Sequence, residues 1–346
     1  MSQMIWISAG GTGGHIYPAI AIYEMLLQKN IRVRFIGGKE SMEAKICHEK
    51  NIHFHATHNL KWLGFGRIFL WLWRLCLSLI DLLKLRHKDK PSAVLIMGGY
   101  PCITSGLVAI LSRTSLYLHE QNAVLGKTNR WMYPFIKKGF CAYQSLIATW
   151  PKLMCVGNPS VIQPRQQTRQ HPNKTLKILS FGGSGGAKQL NTLMYEVINS
   201  NQLEGCEFWH ITGHQDTPIQ TLSGSHIKVE SYNHDIAKAY AWADLAIARS
   251  GAMTLTEITL QGIPSLLLPY PYAANDHQKK NAEYFIEVGG AWLCGQTPQE
   301  VIEQIKKLQQ QPDTYNAMAE AVFKLIPAED PGVKIVAELV KSLKVV

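Results

Sequence analysis

The feature that most limits what this chain can fold into is a glycine-rich turn that occurs twice. Ser8-Ala9-Gly10-Gly11-Thr12-Gly13-Gly14-His15 is echoed by Ser180-Phe181-Gly182-Gly183-Ser184-Gly185-Gly186-Ala187, 172 positions later. Each copy follows a short apolar run, Met4-Ile5-Trp6-Ile7 or Leu176-Lys177-Ile178-Leu179, and precedes a stretch with helical periodicity. That periodicity predicts one helix burying Ile16, Ile20, Tyr23 and Leu27 and another burying Leu190, Leu193, Val197 and Ile198. Strand, glycine turn and helix start together aim unpaired backbone N–H groups, at the positive end of a helix dipole, toward an anion. Glycine supplies the positive φ and the close backbone approach such a turn needs. Two copies at half-chain separation predict two related, doubly wound α/β domains with a cleft between them.

The remaining pattern agrees. A chain of 346 residues, 46% hydrophobic, has material for two cores. Further strands are expected at 33–36, 94–97 and 116–118 in the first half and at 208–211, 245–248 and 265–268 in the second. Ligands of such sheets bind at the carboxyl ends of strands, where Gly98-Gly99-Tyr100 and His119-Glu120-Gln121-Asn122 fall. The boundaries expected are 1–157 joined by a returning helix at 333–346, and 158–332, with a polar, Pro- and Gln-rich linker at 157–175. Seven scattered cysteines without a C-x-x-C pair read as reduced, inert thiols. The start runs straight into a strand, so no signal peptide is expected and the chain is placed in the cytoplasm.

Net charge is +10, which raises nucleic acid or an anionic membrane as a partner. Between 61 and 90 there are seven Lys or Arg against two acidic residues, interleaved with Trp62, Phe65, Phe69, Trp71 and Trp73. RNA-binding modules carry such aromatics on strands, whereas this run is leucine-rich and helical, so nucleic acid is not expected. The apolar stretch 68–83 is too short and too charged to span a bilayer. As a helix it offers Ile68, Leu72, Leu75, Cys76, Leu79, Leu82 and Leu83 as a core stripe. Leu70, Trp73 and Leu77 then face outward among Arg67, Arg74, Lys84 and Asp81, as on a surface that docks on anionic lipid. The competing reading buries that second face against the partner domain or another subunit.

Neither glycine turn fits a nucleotide signature. A dinucleotide fold wants a third glycine where Ile16 stands and an acid where the second strand ends in Gly37-Gly38. A phosphate-loop NTPase wants Lys-Ser/Thr after the turn, which Gly182 to Lys188 lacks in register. What remains is a diphosphate held by backbone and hydroxyls without a metal. Glu257 has two open readings, as partner of Thr254 in a capping box or as acceptor for both hydroxyls of a ribose. Gln278 and Asn281 are open likewise, as exposed helix residues or as amides reaching a sugar. His53, His55 and His58 read as solvated loop histidines rather than metal ligands.

Six segments carry a family resemblance: Gly10-Gly11-Thr12-Gly13-Gly14-His15-Ile16-Tyr17-Pro18, Met97-Gly98-Gly99-Tyr100, His119-Glu120-Gln121-Asn122, Gly182-Gly183-Ser184-Gly185-Gly186-Ala187, Arg249-Ser250-Gly251-Ala252-Met253-Thr254-Leu255-Thr256-Glu257 and Asp276-His277-Gln278-Lys279-Lys280-Asn281-Ala282. Together they resemble the MurG family, two-domain GT-B glycosyltransferases of peptidoglycan synthesis. The resemblance implies inverting transfer of N-acetylglucosamine from UDP-GlcNAc to the 4-hydroxyl of the muramoyl sugar of lipid I, giving lipid II. It implies a peripheral enzyme on the cytoplasmic face of the inner membrane, with no cofactor. The first domain would take acceptor and membrane and the second the donor. Ser184 would meet the donor phosphates, Ala252, Met253, Thr254, Leu255 and Thr256 would form the donor loop and helix start, and Glu257 would hold the ribose. Gln278 would lie near the donor sugar, and Asn233 would offer only its backbone to uracil. Thr12, Gly13, Gly14 and Asn122 would line the reacting sugar. His15 is the implied general base, with Glu120 as the alternative; His15 could instead cap the helix or bind the acceptor diphosphate. Where relatives often carry a linker arginine this chain has Val161, with Arg165, or Ser184 together with Arg249, as the candidate substitutes. The rival functions are another GT-B sugar transferase, a UDP-sugar 2-epimerase, or a non-catalytic UDP-sugar-binding protein.

Overall fold

A computed structural model describes residues 4–60, 65–183, 185–213, 224–233 and 235–343. The chain forms two compact units, Met1–Val161 with Pro327–Val346, and Ile162–Ile326.

The first unit is built on strands β1 (Met4–Ser8), β2 (Arg32–Gly38), β3 (Phe54–Thr57), β4 (Ala93–Ile96), β5 (Ser115–Glu120), β6 (Lys138–Cys141) and β7 (Leu153–Cys155). All pair in parallel, in the order β3-β2-β1-β4-β5-β6-β7. Its helices are α1 (Gly13–Gln28), α2 (Met42–Glu49), α3 (Ile68–Asp89), α4 (Pro101–Leu111) and α5 (Lys127–Met132). The second unit repeats the plan with β8 (Leu176–Phe181), β9 (Cys206–Ile211), β10 (Ile227–Glu230), β11 (Leu245–Ala248), β12 (Ser265–Leu267) and β13 (Ala291–Leu293). Their order is β10-β9-β8-β11-β12-β13, again parallel throughout. Its helices are α6 (Lys188–Asn199), α7 (Ile236–Trp242), α8 (Ala252–Leu260), α9 (His277–Glu287), α10 (Pro298–Gln310) and α11 (Pro312–Phe323). The last helix, α12 (Pro331–Leu343), belongs to the first unit. Its Ile335, Val336, Leu339 and Leu343 join the core of α1, β1 and β2.

In both sheets the strand order reverses beside the first strand, between β1 and β4 and between β8 and β11. Each glycine turn leaves the sheet at that switch point, where such folds leave a crevice for ligands. The α6 stripe is buried as predicted. In α1, Leu26 fills the core and Leu27 is exposed, because the helix presents the neighbouring position at its last turn.

Helix α3 departs further from the sequence pattern. Of the predicted core stripe, Ile68, Leu72, Cys76 and Leu83 are exposed, and the buried residues are Ser78, Leu82 and Asp89. Polar anchors set its rotation. Trp71 Nε1 donates to Leu60 O at 2.9 Å, Ser78 Oγ accepts from the His58 N–H at 3.1 Å, and Asp89 accepts from Trp6 Nε1 and Arg34 Nη2, each at 3.0 Å. Burial alone would raise the Asp89 carboxyl, but the Arg34 and Trp6 donors outweigh it and hold it below its usual value. A helix apolar on nearly every side cannot signal its phase through leucines alone, so these three anchors decide it. Phe69 is 84% exposed and Trp73 63%, with Ile68, Leu70, Leu72, Ile80 and Leu83 also exposed. Leu77 is half-buried. Lys61 and Trp62 lie outside the described residues. Among the described residues no helix is long and apolar enough to cross a membrane.

The segment expected to be a polar linker is partly packed. Arg169 is 5% exposed and donates to the carbonyls of Tyr240 (2.8 Å) and Gln261 (2.9 Å), and burial lowers its pKa to about 10. Cys47, Cys102, Cys141, Cys206 and Cys294 are buried, Cys155 is half-buried and Cys76 is exposed, all of them free thiols.

Candidate active site

The first glycine turn is built by steric necessity at a few points. Gly10 N–H donates to Gly98 O at 3.2 Å, and a Cβ on Gly99 would sit 2.2 Å from Gly10 O. The two turns at the carboxyl ends of β1 and β4 therefore touch backbone to backbone. A Cβ on Gly98, whose φ is +107°, would lie 2.8 Å from Cε1 of His15, so the imidazole rests on bare backbone. Glu43, buried at 2% exposure, accepts from Gly38 N–H at 2.9 Å and Gly11 N–H at 3.4 Å and ties the turn to the end of β2. Thr12 is exposed and caps α1 through its backbone, with no side-chain cap bond. The first bonds of the helix run from His15 and Ile16 N–H to Thr12 O, and the N–H groups of Gly13 and Gly14 precede them, as the leading donors of any helix do.

His15 does not stand alone. Its Nδ1 lies 2.6 Å from Gln121 Oε1. Gln121 Nε2 lies 2.9 Å from His119 Nδ1 and donates to His119 O at 3.2 Å, and His119 Nε2 lies 2.9 Å from Gly157 O. His119 and Gln121 are fully buried. Burial pushes His119 down to about 4, opposed by the Gly157 hydrogen bond and reinforced by repulsion from His15.

Strand β5 runs on through His119 and Glu120, beyond the expected end at 118. Glu120 is 1% exposed, and its two oxygens accept from Asn122 N–H (3.1 Å), Asn122 Nδ2 (3.2 Å), Gly126 N–H (2.8 Å) and Asn129 Nδ2 (2.9 Å). Four donors converge on this carboxylate, which pins the loop from Asn122 to Asn129. A base needs a lone pair directed at its substrate, and Glu120 has committed its own to the loop. Asn122 in turn has its amide drawn toward Glu120.

In the second unit the turn after β8 is shaped by Gly183 (φ +91°) and Gly186 (φ +76°), with Gly186 N–H donating to Gly183 O at 3.0 Å. A Cβ on Gly213 would fall 2.2 Å from Gly186 Cα, so the end of β9 presses on the turn. Ser184 lies outside the described residues. Helix α8 starts at Ala252 with Gly251 as its cap, and its first bond is Leu255 N–H to Gly251 O at 3.0 Å. Ala252, Met253 and Thr254 therefore contribute leading N–H groups, while the Leu255 side chain belongs to the core and Thr256 Oγ1 donates back to Ala252 O at 2.9 Å.

This start overturns the capping box. Thr254 and Glu257 both sit inside α8, and Glu257 accepts instead from the Tyr240 hydroxyl at 2.8 Å. Burial pushes the Glu257 carboxyl up to about 7, and the Tyr240 bond works the other way. Asn281 is fully buried and donates to Ser250 O at 3.1 Å, which excludes the exposed-helix reading. Gln278 is half-buried; its Oε1 accepts from Tyr270 N–H at 2.9 Å, and its carbonyl accepts from Ser250 Oγ at 2.7 Å. Arg249 donates to the carbonyls of Leu268 (2.8 Å) and Pro269 (3.0 Å) and to Gln189 Oε1 (3.2 Å). It braces the loop after β12. Asn233 turns its side chain to Glu230 Oε1 (2.6 Å) and the Asp235 N–H (2.7 Å). Val161 is exposed, and Arg165 Nε donates to Gln167 O at 3.1 Å.

Of the three histidines near β3, His53 and His58 are exposed, as expected, and His55 is half-buried. His53 Nε2 lies 2.9 Å from Arg34 Nη1, His55 Nε2 lies 2.7 Å from Asp81, and His58 donates its backbone N–H to Ser78. Among the described residues no cluster of His, Cys, Asp or Glu could hold a metal ion. Three neighbours of the candidate residues were not singled out from sequence: Gln121 under His15, Tyr240 against Glu257 and Glu43 under the first turn. Gln121 stood inside a noted tetrad. Tyr240 and Glu43 reach their partners only through the fold and left no local signal.

Comparisons with known proteins agree over nearly the whole chain. Residues 5–141 match the glycosyltransferase family 28 N-terminal domain, and residues 177–330 match the family 28 C-terminal domain. A relative from Shewanella violacea, named UDP-N-acetylglucosamine–N-acetylmuramyl-(pentapeptide) pyrophosphoryl-undecaprenol N-acetylglucosamine transferase, is 35% identical over 89% of this chain and 87% of its own length. The crystal structure of Acinetobacter baumannii MurG superposes with a TM-score of 0.80 at 28% identity, covering 98% of this chain and 99% of that one. A UDP-GlcNAc 2-epimerase from Neisseria meningitidis shares the fold alone, with a TM-score of 0.65 at 15% identity over 98% of this chain and 100% of its own. Two parallel α/β units of the GT-B class, matched in chain order by both family domains and by a relative of this identity, show that the chain belongs to glycosyltransferase family 28.

Proposed function

We propose that this enzyme transfers N-acetylglucosamine from UDP-GlcNAc to the 4-hydroxyl of the muramoyl sugar of lipid I, with inversion, to give lipid II. The observation that carries the reading is the 35% identity over 89% of the chain to an enzyme of that name. In the step proposed, His15 takes the proton of the acceptor hydroxyl through Nε2 as that oxygen bonds to the anomeric carbon. The bond from that carbon to the β-phosphate oxygen breaks, and UDP leaves with the electron pair. The leading N–H groups of α8 and the glycine turn after β8 favour the departing diphosphate, as helix starts favour any anion. Glu257 takes the ribose hydroxyls. His15 is preferred to Glu120 as base because four donors converge on the Glu120 carboxylate.

The enzyme docks on the anionic inner leaflet through α3. Support comes from the exposed Phe69, Leu72, Trp73 and Ile80 beside Arg67, Lys84 and Lys88, aromatic and apolar groups set among cations. Detergent-solubilised lipid I with radiolabelled UDP-GlcNAc tests the activity. Label moving into a lipid-soluble disaccharide is the expected result. Conversion of UDP-GlcNAc to its 2-epimer without acceptor, or donor binding with no transfer, would overturn it.

A further inference from the structure

We propose that Gln121 and His119 are positioning residues that hold His15 as the Nδ1–H tautomer, so that Nε2 keeps the lone pair that accepts the proton. The proposal deepens the reading of His15 as the base and rests on it. Its logic starts from two groups whose hydrogen-bonding sense cannot change, the backbone carbonyls of Gly157 and His119. Carbonyls only accept. Gly157 O lies 2.9 Å from His119 Nε2, so that nitrogen carries hydrogen. His119 is buried, and desolvation keeps its ring neutral down to a pKa of about 4. A neutral imidazole with hydrogen on Nε2 has a bare Nδ1, an acceptor. The Gln121 group 2.9 Å from that Nδ1 must therefore be its NH2, and the same group donates to His119 O. The other end of the amide, Oε1, then faces His15 Nδ1 at 2.6 Å and requires hydrogen there.

Each link is rigidly placed. Gly157 has φ +93°, and a Cβ there would lie 2.9 Å from Pro331 at the start of α12. Asn158 Nδ2 donates to Gln121 O at 3.1 Å, and Asn129 Nδ2 to His119 O at 3.2 Å. Without the His119 ring, only the His119 carbonyl, 3.2 Å away, would hold the Gln121 amide against turning its NH2 toward His15 Nδ1. His15 would then carry hydrogen on Nε2 and have no lone pair to offer the acceptor hydroxyl.

The test has a spectroscopic arm and a kinetic arm. Long-range 1H–15N correlation on protein labelled at histidine nitrogen, assigned with His15 and His119 variants, reads the tautomers directly. The expected result is hydrogen on Nδ1 of His15 and on Nε2 of His119; hydrogen on Nε2 of His15 overturns the proposal. In turnover assays, Gln121→Met and His119→Leu should each lower kcat about 100-fold or more, the scale on which a misoriented catalytic histidine is felt. The KM for UDP-GlcNAc should stay within about twofold, since neither residue is proposed to touch the donor. His119→Asn, which keeps an acceptor near the Nδ1 position, should recover most of kcat. Loss in the Leu and Asn variants alike, in folded protein, overturns the relay. The two ideas fail separately. If His15→Ala left kcat unchanged, the base assignment would fall whatever the tautomer, whereas an essential His15 with hydrogen on Nε2 would sink the relay alone.

Discussion

Tyr240 gives its phenolic hydrogen to Glu257 across 2.8 Å, joining α7 to the second turn of α8. Desolvation has already lifted the Glu257 carboxyl to about 7, and this bond is what restrains it. In Tyr240→Phe the restraint is gone and the carboxyl rises further. The sign follows directly: below its pKa the group is neutral and accepts poorly from ribose hydroxyls, so the variant loses donor affinity first on the acid side. The KM for UDP-GlcNAc should rise about 3- to 10-fold at pH 7, with the gap to the parent enzyme narrowing toward about pH 9 and kcat little changed. A donor KM profile against pH checks it; a pH-independent gap would count against the linkage.

Glu120→Gln separates a structural carboxylate from a base. The substitution places an NH2 against donors from Asn122, Gly126 and Asn129, and at least one buried donor loses its acceptor. A loss of about 2–4 kcal/mol is expected, read as a drop of several degrees in the melting of the first unit. Residual activity should follow the folded fraction as temperature is lowered. A catalytic loss of several orders at full folding would restore Glu120 as the base.

Gly98→Ala tests the floor under His15. The added methyl meets the imidazole at 2.8 Å in a backbone of φ +107°, so the ring must leave its place on Gln121. Turnover should fall at least about 100-fold with donor binding nearly intact. Gly11→Ala is the control, because its φ is +91° but nothing lies within 4 Å of the new methyl. It should cost only about 1–2 kcal/mol of backbone strain.

Phe69→Ser combined with Trp73→Ser removes two of the most exposed apolar groups of α3 without touching its anchors Trp71, Ser78 and Asp89. Co-sedimentation with vesicles containing anionic lipid should drop about 10-fold or more, while transfer to a short-chain soluble acceptor stays unchanged. Equal sedimentation of parent and variant would count against α3 as the docking surface.

Much of this fold was legible because backbone needs write themselves into sequence locally. The paired glycine turns, the apolar runs before them and the amphipathic α6 each carry their message within about a dozen residues. What was misread depends on partners far along the chain. Thr254 and Glu257 fit a capping pattern, but the helix begins two residues before Thr254 at a glycine cap, and the glutamate finds Tyr240 instead. The phase of α3 is set by Trp6, Arg34, Leu60 and His58, none of them on the helix. Arg169, in the stretch expected as a polar linker, is held by carbonyls of α7 and of the turn after α8, partners far along the chain. In the site itself, His15 and the tetrad at 119–122 could be listed from sequence, but the sense of the hydrogen bonds between them needed the carbonyl of Gly157.

Helix α12 fills the core of a unit whose strands were all laid down before Gly157, with Ile335, Val336 and Leu339 packed beside Ile20, Tyr23 and Leu26. On the ribosome, the earlier half therefore waits with an open flank while some 170 later residues are made, whereas the later half has its own core segments in one continuous stretch. Gly157, whose carbonyl anchors the histidine relay, packs so closely on Pro331 that a side chain there would clash, so this unit acquires its finished shape only when α12 docks.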